Sequence, residues 1–290
     1  MRGLLAALLC TTAISAAQGA GWGGYKYSCS DAGVFCDGVR VTFIEPAGYA
    51  GTIGEDKDSA FAWVGIQGDA GQGGAQCTNG SGTNNPLLQF GTAPTQFANG
   101  TQTHQTWWEA APCNNVQNFG SLVVNAGDSV SLEQLCTANC TAGNASAVWQ
   151  FTWTNNTTAV SPQVTTVTGW NVYGDNAIAV IEGTSAGVDN TGFQPLHFGR
   201  MKFSGMQVHY SGAWHTVPIS GVKSPWFLEH EWQEISASPG PNTLSLYGPS
   251  PPIGPLGNDF YACELIAAQV STASPLCPAS AYTSSNGIGP

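Results

Sequence analysis

The clearest alternation in the chain is "VWQFTWTN" at residues 148–155, where Trp149, Phe151 and Trp153 alternate with Gln150, Thr152 and Thr154. A two-residue period puts large apolar groups on one face of a strand and hydroxyl and amide groups on the other. Short apolar runs predict further strands at 39–45 ("VRVTFIE"), 60–66 ("AFAWVGI"), 121–124 ("SLVV"), 129–134 ("SVSLEQ") and 164–167 ("VTTV"). Others fall at 177–182 ("AIAVIE"), 200–203 ("RMKF") and 206–210 ("MQVHY"). The 37 glycines and 17 prolines punctuate these runs, and no segment sustains a helical period or an internal repeat. The expected class is all-β, an antiparallel sandwich or barrel. From about residue 222 the strand pattern gives way to "SPGPNTLSLYGPSPPIGPLG", too rich in proline for central strands.

One strand candidate carries a polar anomaly. In "NNPLLQFG", Gln89 stands among Leu87, Leu88 and Phe90. A buried amide without partners costs about 1–3 kcal/mol, so a polar group is expected to face it. It reads either as a satisfied core amide or as part of a site.

Residues 1–20 read as a secretory signal peptide: Arg2, an apolar stretch from Leu4 to Ile14, then small residues, with cleavage expected between Ala17 and Ala20. The expected product is an exported, extracellular chain with a sandwich over 21–220 and an extension over 221–290 packed on or tethered to it. Beyond Cys10 eight cysteines remain, an even number that implies four disulfides in an oxidising compartment. The local closures Cys29–Cys36 and Cys136–Cys140 are the expected pairings among many. Sequons at Asn79, Asn99, Asn139, Asn144, Asn155 and Asn156 would mark exposed loops and a glycoprotein.

Only 9% of residues are charged, and the formal net charge is −11. Such a surface repels nucleic acid and anionic membranes. It also suits acid, because below about pH 4 few cations remain to repel one another and few ion pairs exist to lose. No later run reaches the roughly 18 apolar residues of a membrane helix.

Polar groups interrupt apolar strands in four places: Gln67 after Trp63, Gln89, Glu109 after Trp107 and Trp108, and Glu182, which shares strand parity with Ile178 and Val180. Carboxylates on apolar faces are costly unless partnered or functional. The tryptophans fit either a core or substrate subsites. "HEWQE" at 230–234 approaches the zinc pattern HExxH, but Glu234 occupies the second histidine's position. "GQGG" at 71–74 lacks the lysine of a phosphate loop, and no GxSxG occurs. No metal or cofactor is expected. Two other classes fit: a lectin-like module using Trp and Asn, and a glycosidase using Glu109 and Glu182 as paired carboxylates.

The ordered motifs "GWGGY", "AWVGIQG", "LLQFG", "WWEAAP", "VNAGDSV", "AIAVIEG" and "LHFGRMKFSG" together resemble the glutamic peptidases, or eqolisins, over about residues 22–208. The resemblance implies a concanavalin A-like or jelly-roll-like sandwich of two curved antiparallel sheets, with Gln89 and Glu182 as the catalytic pair in a concave groove. It further implies an acid endopeptidase acting on polypeptide substrates, expected to be monomeric, with Trp63, Gln67, Trp107, Trp108 and Glu109 around the pair. Peptide hydrolysis without a metal or covalent nucleophile needs a base for water, an oxyanion donor and an acid for the departing amine. A carboxylate and a carboxamide can supply these roles. The chain departs from the family pattern at Gln67, where an aspartate is usual. It departs again at Ile178 and Ala179, which stand for a glutamate and an aromatic, and at Ala110, which stands for a tryptophan.

Overall fold

The computed structural model describes residues 21–47, 57–68, 86–97, 99–111, 113–114, 116–119, 122–183, 193–195, 198, 200–217, 232–236, 247–249 and 258–264. They contain no helix. The first eight strands are β1 (Gly21–Ser28), β2 (Gly38–Ile44), β3 (Lys57–Gln67), β4 (Leu87–Phe97), β5 (Gln102–Ala111), β6 (Gln117–Phe119), β7 (Ser129–Ala138) and β8 (Val148–Asn155). Then follow β9 (Gln163–Val167), β10 (Asn176–Gly183), β11 (Phe193–Pro195), β12 (Arg200–Tyr210), β13 (Ala213–His215), β14 (Trp232–Ser236), β15 (Tyr247–Pro249) and β16 (Phe260–Glu264).

Two sheets result, in the order β14-β1-β10-β3-β4-β5-β6 and β15-β16-β12-β2-β7-β8-β9, with β11 beside β3 and β13 beside β12. Every pairing is antiparallel except that of β11 with β3. The sandwich expected from the strand pattern is therefore the observed fold.

The second sheet behaves as the alternation requires. β8 buries Trp149, Phe151 and Trp153 and leaves Gln150, Thr152 and Thr154 half-buried on its other side. The first sheet differs, because β4 is buried on both faces over most of its length. The unbroken apolar runs of β3 and β10 reflect the same double burial. One core lies between the sheets, where Phe90 stacks on Phe151 at 4.9 Å and the Trp153 indole N–H donates to the Gly91 carbonyl at 2.9 Å. A second, smaller cluster lies on the far side of the first sheet and contains Trp63, Leu87, Ala93, Trp107, Ile178 and Val180.

A polar pin also joins the sheets. Glu45, just after β2, is fully buried; one carboxylate oxygen meets His104 Nδ1 at 2.8 Å and the other accepts from the Thr92 hydroxyl at 2.8 Å. Burial pushes the Glu45 carboxyl above its ordinary range, the Asp128 charge pushes the same way, and the bonds from His104 and Thr92 only partly oppose them.

Several expectations are corrected. Residues 122–124 of "SLVV" form no strand; pairing with β5 is made by β6 instead. "RMKF" and "MQVHY" are one strand, β12, which absorbs a register shift between Ser204 and Gln207, with Gly205 at φ 63°. The C-terminal extension contributes strands to both sheets: β14 pairs β1, and β16 pairs β12. Among the described residues the proline-rich stretch supplies the edge strand β15. The expected closures Cys29–Cys36 and Cys136–Cys140, by contrast, are disulfides as anticipated, and Cys113 is disulfide-bonded too. Asn155 is not on an exposed loop: it is buried, and its amide donates to Asp128 and to the Val123 carbonyl. Asn99 and Asn156 are exposed. The signal segment, the GQGG loop, His230, Asn79 and Cys77 lie outside the described residues.

Candidate active site

Strand parity assembles the site. β10, β3, β4 and β5 are adjacent in the first sheet, and Ile178 is opposite Gly65, Gly65 opposite Gln89, and Gln89 opposite Glu109. Two residues along, Val180 faces Trp63, Trp63 faces Gly91, and Gly91 faces Trp107; two further, Glu182 faces Phe61. All these positions share the face turned away from the second sheet. Gln89, Glu182, Glu109, Gln67, Trp63 and Trp107 are thus brought to one surface. Trp108 is not. Its parity is opposite, and it packs into the main core 5.9 Å from Phe151.

Two hydrogen-bonded pairs occupy this surface. The Trp63 indole N–H donates to Glu182 Oε2 at 2.9 Å. The Gln89 Nε2 donates to Glu109 Oε2 at 2.9 Å, while Gln89 Oε1 is buried without a partner among the described residues. Such an atom costs about 1–3 kcal/mol unless water or a bound molecule meets it. Burial raises the Glu109 carboxyl above its ordinary range, and the bond from Gln89 only partly offsets that.

Gln89 and Glu182 lie two strands and four residues apart. Trp63 lies on β3, between the strands that carry Gln89 and Glu182.

Two glycines hold the floor. A Cβ on Gly65 would lie 3.0 Å from the Leu88 carbonyl and 3.1 Å from the Gln89 Cβ, and one on Gly91 would run into the backbone of Ala62 and Trp63. Gly65→Ala is therefore expected to displace the Gln89 side chain. Activity on peptide substrate should fall on the order of tenfold or more, while unfolding shifts by about 1–3 kcal/mol; kinetics and urea titration on one preparation check both.

A sequence model of the peptidase A4 family matches residues 20–234, most of the chain. The chain belongs to the peptidase A4 family. No curated protein matches it. Its fold is similar to the crystal structure of Scytalido-glutamic peptidase with a peptide-based transition state analog, at 18% identity and TM-score 0.54, covering 85% of this chain and 98% of that one. A second structure of that peptidase, with a transition state analog inhibitor, gives TM-score 0.56 with the same identity and coverage.

In this peptidase A4 member two of the departures, Gln67 and Ile178, lie at one end of the surface, while Ala110 and Ala179 face the core between the sheets. Gln67 is half-buried opposite the buried Asn176, and Ile178 is buried beside Val180. One carboxamide, Gln67, and one alkyl group, Ile178, stand there in place of the carboxylates of the family pattern. Among the described residues no group of three or more His, Cys, Asp or Glu could hold a metal. Sequence reasoning missed Glu45 with His104 and Thr92, although Glu45 closing the apolar run of β2 was a visible signal.

Proposed function

We propose that this member of the peptidase A4 family is an exported acid endopeptidase in which Glu182 is the general base and Gln89 the water-orienting and oxyanion-stabilising partner. The observation that carries the reading is the Gln89 amide: Glu109 fixes its nitrogen, and its oxygen has no partner among the described residues, on the face that carries Glu182. Glu182 as carboxylate takes a proton from the attacking water and returns it to the departing amine. Gln89 Oε1 accepts from that water, and the second N–H of the amide donates to the developing oxyanion. Trp63 holds the Glu182 carboxylate through its indole N–H. Trp107 and Phe61, which meet edge to face at 5.3 Å, offer apolar contact to substrate side chains.

A chain with so few charges loses little when its carboxylates protonate, which accords with work in acid. The disulfides accord with an oxidising, extracellular setting.

The test is cleavage of an acid-denatured protein at about pH 3–4, near the ordinary carboxylate range. Activity should persist with a chelator and with inhibitors directed at paired aspartates. Loss in chelator, or the absence of cleavage anywhere below neutrality, would remove the assignment.

A further inference from the structure

We propose that the outer face of the second sheet carries a binding site for a neutral oligosaccharide, remote from the Glu182 surface and independent of the peptidase reading. The face holds a half-open trough of about 520 Å³ across β12, β2, β7 and β8. That volume falls within the roughly 300–1,000 Å³ of small-molecule sites.

Its floor is two rows of side chains set by register. Gln207, Arg40, Glu133 and Thr152 form one row; Thr42, Ser131 and Thr154 form the other. The first row is already held in place. The Arg40 guanidinium lies 4.3 Å over the Trp214 ring, its Nε donates to Gln207 Oε1 at 2.6 Å, and its Nη1 donates to Glu133 Oε2 at 3.1 Å. In the second row the Thr42 and Ser131 hydroxyls are 2.7 Å apart, and Asn156 Nδ2 donates to Ser131 Oγ at 2.8 Å. The β12 irregularity at Gly205 borders the trough.

The chemistry of this floor selects its occupant. One guanidinium cancels one carboxylate, so the trough carries no net charge, and a chain of net charge −11 repels anions. The side chains offered are hydroxyls, amides and one ion pair, while Val41 and Leu132 point into the core, leaving no apolar pocket for a peptide side chain. A peptide could not add as a strand either, because β2, β7 and β8 are interior strands whose backbones are paired on both sides. A ligand whose groups both donate and accept, without charge or large apolar parts, fits: a neutral glycan.

The probes are linear hexasaccharides of the cello-, laminari-, chito- and manno- series, titrated into the full chain and followed by amide chemical shifts and calorimetry. At least one should bind with a dissociation constant on the order of 1 mM or tighter, with shifts mapping to β2, β7 and β8. The double variant Thr152→Leu and Thr154→Leu should weaken that binding about tenfold or more while leaving peptide cleavage unchanged. No binding by any of the four, binding that the variant retains, or shifts confined to the first sheet would each overturn the proposal. None of these outcomes bears on Glu182 or Gln89.

Discussion

Glu182→Gln is expected to lower kcat for peptide cleavage on the order of 10²–10⁴-fold while the protein still folds. The substitution is nearly isosteric, and a carboxamide oxygen can still accept the Trp63 indole N–H, so the loss isolates the proton-transfer role. Gln89→Ala should cost on the order of 10²–10³, the usual effect of removing an oxyanion donor. Under the proposed mechanism both groups act on one water and one oxyanion, so the two losses should not add. Trp63→Phe separates positioning from substrate contact. If the indole only lined the groove, KM would rise. If it holds the carboxylate, kcat should fall roughly 10–100-fold, matching a charge-assisted bond of about 1.5–3 kcal/mol. Full activity in the Glu182→Gln protein would sink the mechanism outright.

Much of this surface was legible because a strand's period of two is a strong constraint. "AIAVIE" and "AFAWVGI" announce doubly buried strands, and parity alone puts Glu182 with Ile178 and Val180. Parity also separates Trp107 from Trp108, which a run of two tryptophans conceals until the register is known. What could not be read was which strands adjoin. Pairs such as Gln89–Glu109 and Trp63–Glu182 join residues 20 and 119 positions apart. Periodicity within a strand holds no information about such partners. The strand expected at 121–124 failed for a related reason. Its valines are as apolar as any strand's, but β6, a polar segment just before it, takes the place beside β5. In β12, "SG" between two apolar runs looks like a turn, yet a bulge with Gly205 at positive φ lets one strand continue through it. Of the proline-rich stretch the described residues form only the edge strand β15, whereas the segment after it supplies β16, an interior strand whose Phe260 and Ala262 are buried.

The other large effect concerns the pin between the sheets. Glu45→Ala would leave His104 and Thr92 facing an uncompensated space in the interior, and a loss of about 3–5 kcal/mol is expected, as for other buried pairs deprived of one partner. Glu45→Gln keeps the shape and an acceptor, so its cost should be nearer 1–3 kcal/mol. The sign with pH follows from the direction of the shift. A carboxyl raised above its ordinary value of 4.5 binds its proton more tightly folded than unfolded. The stability it contributes is therefore fully present below about pH 4.5 and is lost as pH rises through the folded value. Glu109, raised for the same reason of burial, adds in the same direction. The wild-type urea midpoint should consequently increase between pH 7 and pH 4, the reverse of a protein stabilised by salt-bridged carboxylates. In Glu45→Gln that increase should shrink to the part due to Glu109, and in Glu45→Gln with Glu109→Gln it should nearly vanish. A midpoint that falls on acidification, or a slope unchanged in the double variant, would show that these buried carboxyls do not set the acid preference of the fold. Should the slope collapse as expected, the pin ties the sandwich's stability to the pH range in which a Glu182 base would operate.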